Sequence, residues 1–463
     1  MFDWVKRARH VPWWTSSRPL RLATDCSGLA VPEIALAMLG DHCGASVHHV
    51  FACDIWTGSQ QWLQAIGVSP ILKDMNSRIW KPVEGRILTR NLAGQVVSIH
   101  RDEAALDLYI CGFMCTPFTP NGQRRAWADE HSKTFWSAVK TISVLRPRVA
   151  ILENVRAISN NANHEIVVQA LSKLRGYIIC YLKMNSTEHG IPHHRARVYM
   201  VAFRVDALNP AFAKRSPTIM EQYLRANLKK FHVTCPNDFY EFLDVCGFPL
   251  TPWIQEGPAA DEGCTCSFST PCDLHQCRCT HGKGNDHTLC KWRATCKSHC
   301  RHPNFKAKRY AYLKKWRMVK KDKTLKSPPD YFQLAKSKAL ATEVITQPSR
   351  RVVLRCLSQC QNLMQKHCIL NVGKSVSRTS IRSDGMVPCL GHGCLTLFVP
   401  SQARFLDIPQ LLCLTGFHPK LNADVFKQAE DMRATDMDLL LGNAMCLPLV
   451  GTLAACALAM LQD

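Results

Sequence analysis

One of the chain's 24 cysteines stands where its sulfur could take part in chemistry. Cys115 lies in a loop bounded by proline and glycine, directly after an apolar run typical of a buried strand. A thiol is a strong intrinsic nucleophile, so this placement is typical of a covalent catalyst. Simple burial is the alternative, since buried cysteines are common in folded proteins.

Two polar pairs accompany later strand-like runs. Glu153 and Asn154 end one run, where a carboxylate beside an amide could supply an acid or base and a loop-orienting hydrogen bond. Arg195 and Arg197 alternate at the start of another run, so their side chains would point to one face. Helix capping or a solvated position is the alternative for each pair.

A turn of small residues, 26–30, joins the first strand-like run to a helix-like segment. Such a turn lets the backbone approach a cofactor, although it has one glycine and lacks the dinucleotide pattern G-x-G-x-x-G. Asp54 follows the second run and could accept hydrogen bonds from ribose hydroxyls. Asp74 is a further acid at a strand end. An ordinary turn and solvated carboxylates are the alternatives.

The elements that must position these residues alternate along residues 20–203. The predicted strands are 20–24, 47–53, 107–112, 149–152, 177–183 and 198–203, and segments with helical apolar spacing between them are 32–39, 58–66, 135–145 and 164–174. This alternation predicts a doubly wound α/β domain with a largely parallel sheet. Ligands of such sheets bind beyond the carboxyl ends of the strands.

Composition narrows the class of protein. The chain has 463 residues, 46% of them hydrophobic, and a net charge of +22, which favours a polyanionic partner or an anionic membrane surface. The first residues show no apolar signal segment, so the cysteines are expected to be reduced. Residues 439–461 are apolar but interrupted, and we expect a loop and a buried helix there, with no membrane span.

The middle of the chain differs from both ends. Residues 264–300 hold eight cysteines, a density typical of zinc sites but without paired C-x-x-C motifs; these are Cys264, Cys266, Cys272, Cys277, Cys279, Cys290, Cys296 and Cys300. Residues 281–330 carry 15 Lys or Arg against three acidic residues, a balance of 15 − 3 = +12, interleaved with aromatic residues. This composition is typical of a surface that binds nucleic acid, and a solvated charged face is the alternative.

The order of these features resembles the cytosine-C5 methyltransferase family. That family has a small-residue cofactor turn, an acid after strand two, a P-C-Q-x-F-S loop, E-N-V, Q-x-R-x-R and a final G-N-A helix start. The matching positions are 26–30, Asp54, 115–119, 153–155, 193–197 and 442–444, with Asp74 and residues 410–419 as further matches. The resemblance covers about residues 20–204 and 382–463. It leaves out the middle, where the family places its target-recognition region.

The resemblance implies an α/β, Rossmann-like, S-adenosylmethionine-dependent methyltransferase domain with a smaller, irregular target-recognition domain. It implies a DNA (cytosine-5-)-methyltransferase in which Cys115 adds to C6 of a flipped-out cytosine and Glu153 protonates N3. Asn154 would brace the cysteine loop, and Arg195 and Arg197 would bind the O2 edge or a phosphate. The residues implied to bind S-adenosylmethionine are Cys26, Ser27, Gly28, Leu29, Asp54, Ile55, Asp74 and Asn443.

Several positions depart from the family pattern. Cys26 replaces an aromatic residue, Ala30 a glycine, Met114 a proline, and Thr116 and His193 each a glutamine. Three functions therefore stay open. The long recognition insert favours DNA as substrate, whereas a tRNA-directed branch of the family has a loop that also ends F-T. The departures also fit a non-catalytic nucleic-acid-binding protein, against which the retained cysteine, glutamate and arginines argue.

We predict four segments along the chain. They are an N-terminal arm (1–19), a catalytic domain (20–204), a target-recognition region (205–400) with a Cys-rich basic insert (264–330), and a C-terminal segment (401–463) that returns to the catalytic domain. The basic run 314–321 predicts a nuclear location, although the same residues could serve only DNA binding.

Overall fold

The computed structural model of the chain describes residues 4–118, 126–236, 238–250, 368–371, 381–391, 393–399 and 404–462. Its strands are β1 (Leu20–Asp25), β2 (Val47–Cys53), β3 (Ile71–Leu72), β4 (Ile79–Lys81), β5 (Arg86–Arg90), β6 (Val96–His100), β7 (Leu108–Cys111), β8 (Val149–Val155), β9 (Tyr177–Asn185), β10 (Ala196–Arg204), β11 (Ile369–Asn371), β12 (Ile381–Arg382), β13 (Leu397–Val399) and β14 (Arg404–Phe405). Its α-helices are α1 (Trp4–Ala8), α2 (Val31–Cys43), α3 (Thr57–Ala65), α4 (Arg101–Ala104), α5 (Lys133–Leu145), α6 (Asn161–Ser172), α7 (Pro210–Ala213), α8 (Pro217–Lys229), α9 (Phe239–Val245), α10 (Ile408–Thr415), α11 (Ala423–Asp431), α12 (Ala434–Asn443) and α13 (Leu447–Leu458).

The central sheet has the strand order β3-β2-β1-β7-β8-β10-β9 among the described residues. Strands β1, β2, β3, β7 and β8 pair in parallel, and β10 is antiparallel to both of its neighbours. The strand order reverses between β1 and β7, which is the point where ligands bind in open α/β sheets. The predicted α/β fold with a mostly parallel sheet is therefore confirmed.

Each predicted strand and helix of residues 20–204 is found, with its ends within four residues of the prediction. The strands read as apolar runs because both faces of the sheet are covered, as the burial of every residue of β7 illustrates. The helices between them bury an apolar face on the sheet. The spacing of apolar residues along the sequence was therefore sufficient to predict these strands and helices.

A three-stranded antiparallel sheet of β4, β5 and β6 was not predicted. Its strands are three to five residues long and carry exposed apolar side chains, with Ile79 56% and Val96 61% exposed. Such strands give neither a clean alternation nor a buried run. The sequence therefore offered no signal above that of a loop.

The prediction that residues 439–461 form a loop and a buried helix needs correction. Gly442 and Asn443 do not open the final helix, because α12 ends at Asn443 and α13 begins at Leu447. All residues of α13 are buried, as expected. Among the described residues, no single helix could cross a membrane, and α12 with α13, bent by 41°, reach the required length and apolarity only as a pair.

The chain divides into two compact units. The first comprises Met1–Asn237, Cys389–His392 and Ile408–Asp463, and the second Asp238–Pro388 and Gly393–Asp407. The described part of the second unit contains α9 and an antiparallel sheet of order β12-β11-β13-β14, where the rings of Phe398 and Phe405 meet edge to face with centroids 5.3 Å apart. These divisions fall at other positions than the four predicted segments, whose separate roles stay a prediction.

Candidate active site

The turn between β1 and α2 holds three residues in the left-handed region. Cys26 has a φ of +52°, Gly28 of +52° and Ala30 of +59°. A left-handed backbone costs about 1–2 kcal/mol at a residue with a side chain, so Cys26 and Ala30 are strained. Ala30 thus occupies a position that glycine would take without strain. Alanine in place of the family's glycine therefore strains the backbone at this position.

Asp54, just past β2, fixes this turn. Its Oδ2 accepts a hydrogen bond of 2.9 Å from the Gly28 N–H, and its Oδ1 accepts one of 3.0 Å from the Trp56 N–H. Ser59 Oγ donates to the Gly28 carbonyl at 3.0 Å. Burial raises the pKa of Asp54, while its two backbone donors lower it. These hydrogen bonds hold the turn through its backbone N–H and C=O groups.

A buried carboxyl group lies behind the turn. Glu33, in the first turn of α2, is 2% exposed and accepts a hydrogen bond from Thr24 Oγ1. The Thr24 hydroxyl also lies 2.7 Å from Ser27 Oγ. Glu33 Oε2 has no hydrogen-bond partner among the described residues. Burial raises the pKa of Glu33 to about 7.

The loop that carries Cys115 is fixed by two neighbouring elements. Asn154, at 1% exposure, donates a hydrogen bond of 2.8 Å from Nδ2 to the Phe113 carbonyl. The Met114 N–H donates to Thr134 Oγ1 at 3.1 Å. These bonds hold the backbone immediately before Cys115. Thr119, the last residue of the predicted motif, lies outside the described residues.

Glu153 and Arg197 form an ion pair between the adjacent strands β8 and β10. Arg197 Nε lies 3.0 Å from Glu153 Oε1, and the side chains are 11% and 9% exposed. Arg195 has another role, because its Nη1 donates to the Leu390 carbonyl at 2.8 Å and to the Gly442 carbonyl at 3.4 Å. The Arg197 guanidinium therefore pairs with a carboxylate, whereas the Arg195 guanidinium donates to backbone carbonyl groups.

The thiol of Cys115 lies among these charges. Burial raises its pKa, and Glu153 raises it further. Arg197 and Arg195 lower it, by less than the other groups raise it. The thiol is therefore protonated at neutral pH in the free site.

One cavity of about 350 Å³ in the first unit brings the predicted residues together. All eight predicted cofactor residues line it: Cys26, Ser27, Gly28, Leu29, Asp54, Ile55, Asp74 and Asn443. Four of the five predicted catalytic residues line it as well: Cys115, Glu153, Arg195 and Arg197. Asn154 is not in its wall and reaches the site through the Phe113 carbonyl. The volume is in the range of small-molecule sites.

Sequence reasoning missed a second cysteine near the arginines. Arg197 Nη2 lies 3.7 Å from Cys389 Sγ, across 192 residues of chain. Although partial desolvation raises the pKa of Cys389, which is an exposed residue, a hydrogen bond with His193 and the charges of Arg197 and Arg195 bring it well below its ordinary value. Cys389 belongs to the first unit, yet the sequence placed it in the target-recognition region. No local pattern could reveal so distant a contact.

His193, which departs from the family's glutamine, is a neutral imidazole whose two ring nitrogens each have a backbone partner in addition to the Cys389 contact. Its Nε2 accepts a hydrogen bond of 2.8 Å from the Leu390 N–H, and its Nδ1 lies 3.1 Å from the Leu414 carbonyl. Burial lowers its pKa. One donor and one acceptor are what a glutamine side chain also provides, so the substitution keeps this bonding capacity.

The predicted zinc ligands lie outside the described residues. They are Cys264, Cys266, Cys272, Cys277, Cys279, Cys290, Cys296 and Cys300. Within the residues that the structure describes, no group of three or more His, Cys, Asp or Glu side chains could hold a metal ion. The zinc site stays a prediction.

Residues 27–242 match the profile of the C-5 cytosine-specific DNA methylase family. The chain is 31% identical over 169 residues to type II methyltransferase M.Bsp6I of a Bacillus species, which is 35% of this chain and 51% of that protein. It is 29% identical over 197 residues to DNA (cytosine-5-)-methyltransferase DMT5 of Cryptococcus neoformans, 40% of this chain and 8% of that protein. It is 31% identical over 97 residues to type II methyltransferase M.BanI of Aneurinibacillus aneurinilyticus, 20% of this chain and 23% of that protein. Each match spans less than two thirds of the relative.

Proposed function

We propose that the chain is a member of the C-5 cytosine-specific DNA methylase family and transfers a methyl group from S-adenosylmethionine to C5 of cytosine in DNA. The observation that carries this proposal is the shared cavity. It is lined by the cofactor turn, by Asp54, and by a cysteine and a carboxylate of the kinds that the reaction needs. The matched family profile and the relative named DNA (cytosine-5-)-methyltransferase support DNA as the substrate.

The cavity's residues fit S-adenosylmethionine. Asp54 brings a carboxylate for ribose hydroxyls, and Ile55, 68% exposed, offers an apolar surface beside it for the adenine. Gly28 lacks a side chain where the backbone turns to the cavity wall. The cofactor supplies an electrophilic methyl group on a sulfonium. Cys26, in place of an aromatic residue, removes one stacking partner.

Cys115 and Glu153 activate the base. The Cys115 sulfur adds to C6 of cytosine, and the ring takes up the electron pair as an enamine with a nucleophilic C5. Glu153 hydrogen-bonds the N4 amino group, takes up the proton that the Cys115 thiol gives up and delivers it to N3, which draws off the developing charge. Once C5 carries the methyl group, loss of the C5 proton, expulsion of the sulfur and return of the N3 proton restore the aromatic ring.

The remaining polar residues position these two. Arg197 holds the Glu153 carboxylate through its Nε and presents its charge to the base or to a phosphate. Asn154 holds the backbone before Cys115. In duplex DNA the C6 atom is stacked out of reach, so the target leaves the stack at a cost of a few kcal/mol.

Labelled S-adenosylmethionine tests this function. The purified chain is incubated with duplex DNA or with tRNA, beside Cys115→Ala and, as a control, Cys43→Ala, whose cysteine is exposed and outside the cavity lining. We expect label in DNA as 5-methylcytosine, lost in Cys115→Ala and kept in Cys43→Ala. Label in tRNA alone would establish the RNA alternative. No label in either, despite tight binding, would establish a non-catalytic nucleic-acid-binding protein.

We further propose zinc for the cysteine cluster 264–300 and a nuclear location for the chain. The first rests on the density of cysteines and the second on the basic run 314–321. Elemental analysis that gives less than about 0.5 zinc per chain would contradict the metal. Staining of a tagged chain in the cytosol alone would contradict the location.

A further inference from the structure

A fully buried ion pair lies at the centre of the first unit and has no part in the chemistry above. The side chains of Asp25 and Arg78 are both 0% exposed. Arg78 Nη1 donates to Asp25 Oδ2 at 2.6 Å, and Arg78 Nη2 donates to Asp25 Oδ1. Such a two-bond pair fixes the relative orientation of both side chains.

Three further elements hold this pair. Tyr109 on β7 donates from its hydroxyl to Asp25 Oδ2 at 2.5 Å, and Arg78 Nη1 donates to Thr141 Oγ1 on α5 at 3.1 Å. The guanidinium carbon lies 5.0 Å from the centroid of the Phe51 ring on β2. The pair is therefore a junction of β1, β2, β7 and α5.

The positions of its two members along the chain connect them to the cofactor cavity. Asp25 is the last residue of β1 and directly precedes Cys26, where the left-handed turn begins. Arg78 directly follows the 3₁₀ turn Met75–Ser77. Cys26 and Met75 both line the cavity, and their sulfur atoms are 3.6 Å apart.

We infer that Arg78 is a positioning residue for S-adenosylmethionine, since its pairing with Asp25 sets the cofactor turn against the adjoining wall segment formed by Asp74, Met75 and Asn76. This inference rests on the proposed function. Asp54 and Ser59 hold the turn through the peptide groups of Gly28, and the two-bond pair at Asp25 adds a link between the start of the turn and the segment that ends at Ser77. Arg78 touches no substrate and acts through these segments.

Burial of an ion pair gives little evidence of a stabilising role. Removing one partner destabilises a protein strongly, because it leaves a buried unpaired charge, whereas replacing both by neutral groups of similar size is often tolerated. Comparing the single with the double substitution therefore separates an effect on cofactor binding from an effect on stability. A variant without both charges should keep its fold and still bind the cofactor poorly.

The experiment compares Arg78→Met with the double variant Asp25→Asn/Arg78→Met. Equilibrium binding of S-adenosylmethionine is measured by calorimetry and the melting temperature by scanning fluorimetry. The matched control is Arg18→Met/Asp107→Asn, which removes a pair of 2.6 Å with a buried carboxylate at the amino end of β7, away from the cavity lining. Arg78→Lys keeps the charge and loses the two-bond geometry.

We expect Arg78→Met to lose both melting temperature and cofactor affinity. The double variant should regain a melting temperature within about 3 °C of the wild type, yet bind S-adenosylmethionine about tenfold more weakly. The control should bind as the wild type does. If the double variant does not fold, Arg78→Lys decides, and about tenfold weaker binding is again the expected result.

A double variant, or a folded Arg78→Lys, that binds the cofactor as the wild type does would overturn the inference and leave the proposed function standing. Methyl transfer to DNA by the wild type is measured separately. A wild type that binds S-adenosylmethionine without methylating DNA would reject the proposed function, and the binding comparison of the variants would still decide the inference.

Discussion

The Cys115 sulfur lies between groups that pull its pKa in opposite directions. Burial and Glu153 raise the pKa, while Arg197 and Arg195 lower it. Because the thiolate is the nucleophile, the raised pKa holds the Cys115 sulfur of the free site in its less reactive form. The same carboxylate that the proposed mechanism uses on the base thus restrains the sulfur before the base arrives.

The pH dependence of alkylation tests this balance. The rate at which iodoacetamide modifies Cys115, followed by mass spectrometry of its peptide, should rise with pH through 9 and beyond, because the ordinary value of 9.0 is raised. Glu153→Gln removes the negative charge that raises the pKa, so its profile should move to lower pH. Glu33→Gln is the control and should leave the profile in place. An unchanged or alkaline-shifted profile in Glu153→Gln would contradict the account.

Glu33 makes stability depend on pH. Burial raises its pKa from 4.5 to about 7, so the folded state holds the proton more tightly than the unfolded state. Its contribution to stability is therefore complete below pH 4.5 and is lost as the pH rises to about 7. Glu33→Gln carries no proton to lose over this range.

Urea unfolding at several pH values measures this contribution. The free energy of unfolding of Glu33→Gln, minus that of the wild type, should grow by about 3 kcal/mol between pH 4.5 and 7.5 and then level off. Other groups titrate equally in both proteins and cancel. A difference that stays constant across this range would show that Glu33 has an ordinary pKa.

The sequence indicated the residues that line the cavity, but it gave no indication of the residues that hold the cavity wall in place. Asp54 and Cys115 each follow a strand-like run. Because ligands of parallel sheets bind beyond the carboxyl ends of the strands, this was sufficient to predict that the two residues share a site. Arg78 carried no such signal, because its partner is 53 positions away in the chain. Cys389 carried no such signal either, because the arginine that it faces, Arg197, is 192 positions away in the chain.

At the scale of elements, the contact between α1 and α13 determines how the first residues of the chain pack. Trp4 is 2% exposed, and its indole ring lies against Gly451 in the middle of α13. A Cβ atom added at Gly451 would overlap this ring. The absence of a side chain at Gly451 therefore allows the two helices to approach closely.

A double-mutant cycle tests that contact. Gly451→Ala should destabilise the protein by about 2 kcal/mol, since overpacking outweighs the gain of about 1 kcal/mol that alanine normally gives within a helix. In a Trp4→Ala background the clash is absent, and the same change should stabilise. Unfolding in urea gives both values. Equal effects of Gly451→Ala in the two backgrounds would show that the helices do not meet there.

Elements were predictable where local pattern and tertiary environment agree. Strands β7 and β8 are buried on both faces and read as apolar runs, so their sequence was sufficient. The end of α12 was misread, because glycine and asparagine usually mark a break. Here the Gly442 carbonyl accepts a hydrogen bond from Arg195, a distant partner that satisfies the helix end.

At the scale of the whole molecule, the order of motifs carried more information than any one of them. The first unit contains the matching motifs, and residues from the turn at 26–30, Asp54, Asp74, Cys115, Glu153, the two arginines and Asn443 line one cavity. No single motif predicts that closure, because it depends on residues 408–463 returning to a sheet built by the first 204. The Cys-rich basic insert gave a composition but no pattern from which a fold could be derived.

Covalent trapping tests the central claim most directly. Duplex DNA with 5-fluorocytosine in place of cytosine is incubated with the chain and S-adenosylmethionine, because fluorine at C5 cannot leave as a proton and the sulfur–C6 bond should persist. The account predicts a cofactor-dependent adduct of one protein per DNA strand, mapped by mass spectrometry to Cys115 and absent in Cys115→Ala. An adduct at another cysteine, such as Cys389, or no adduct at all with active enzyme, would contradict it.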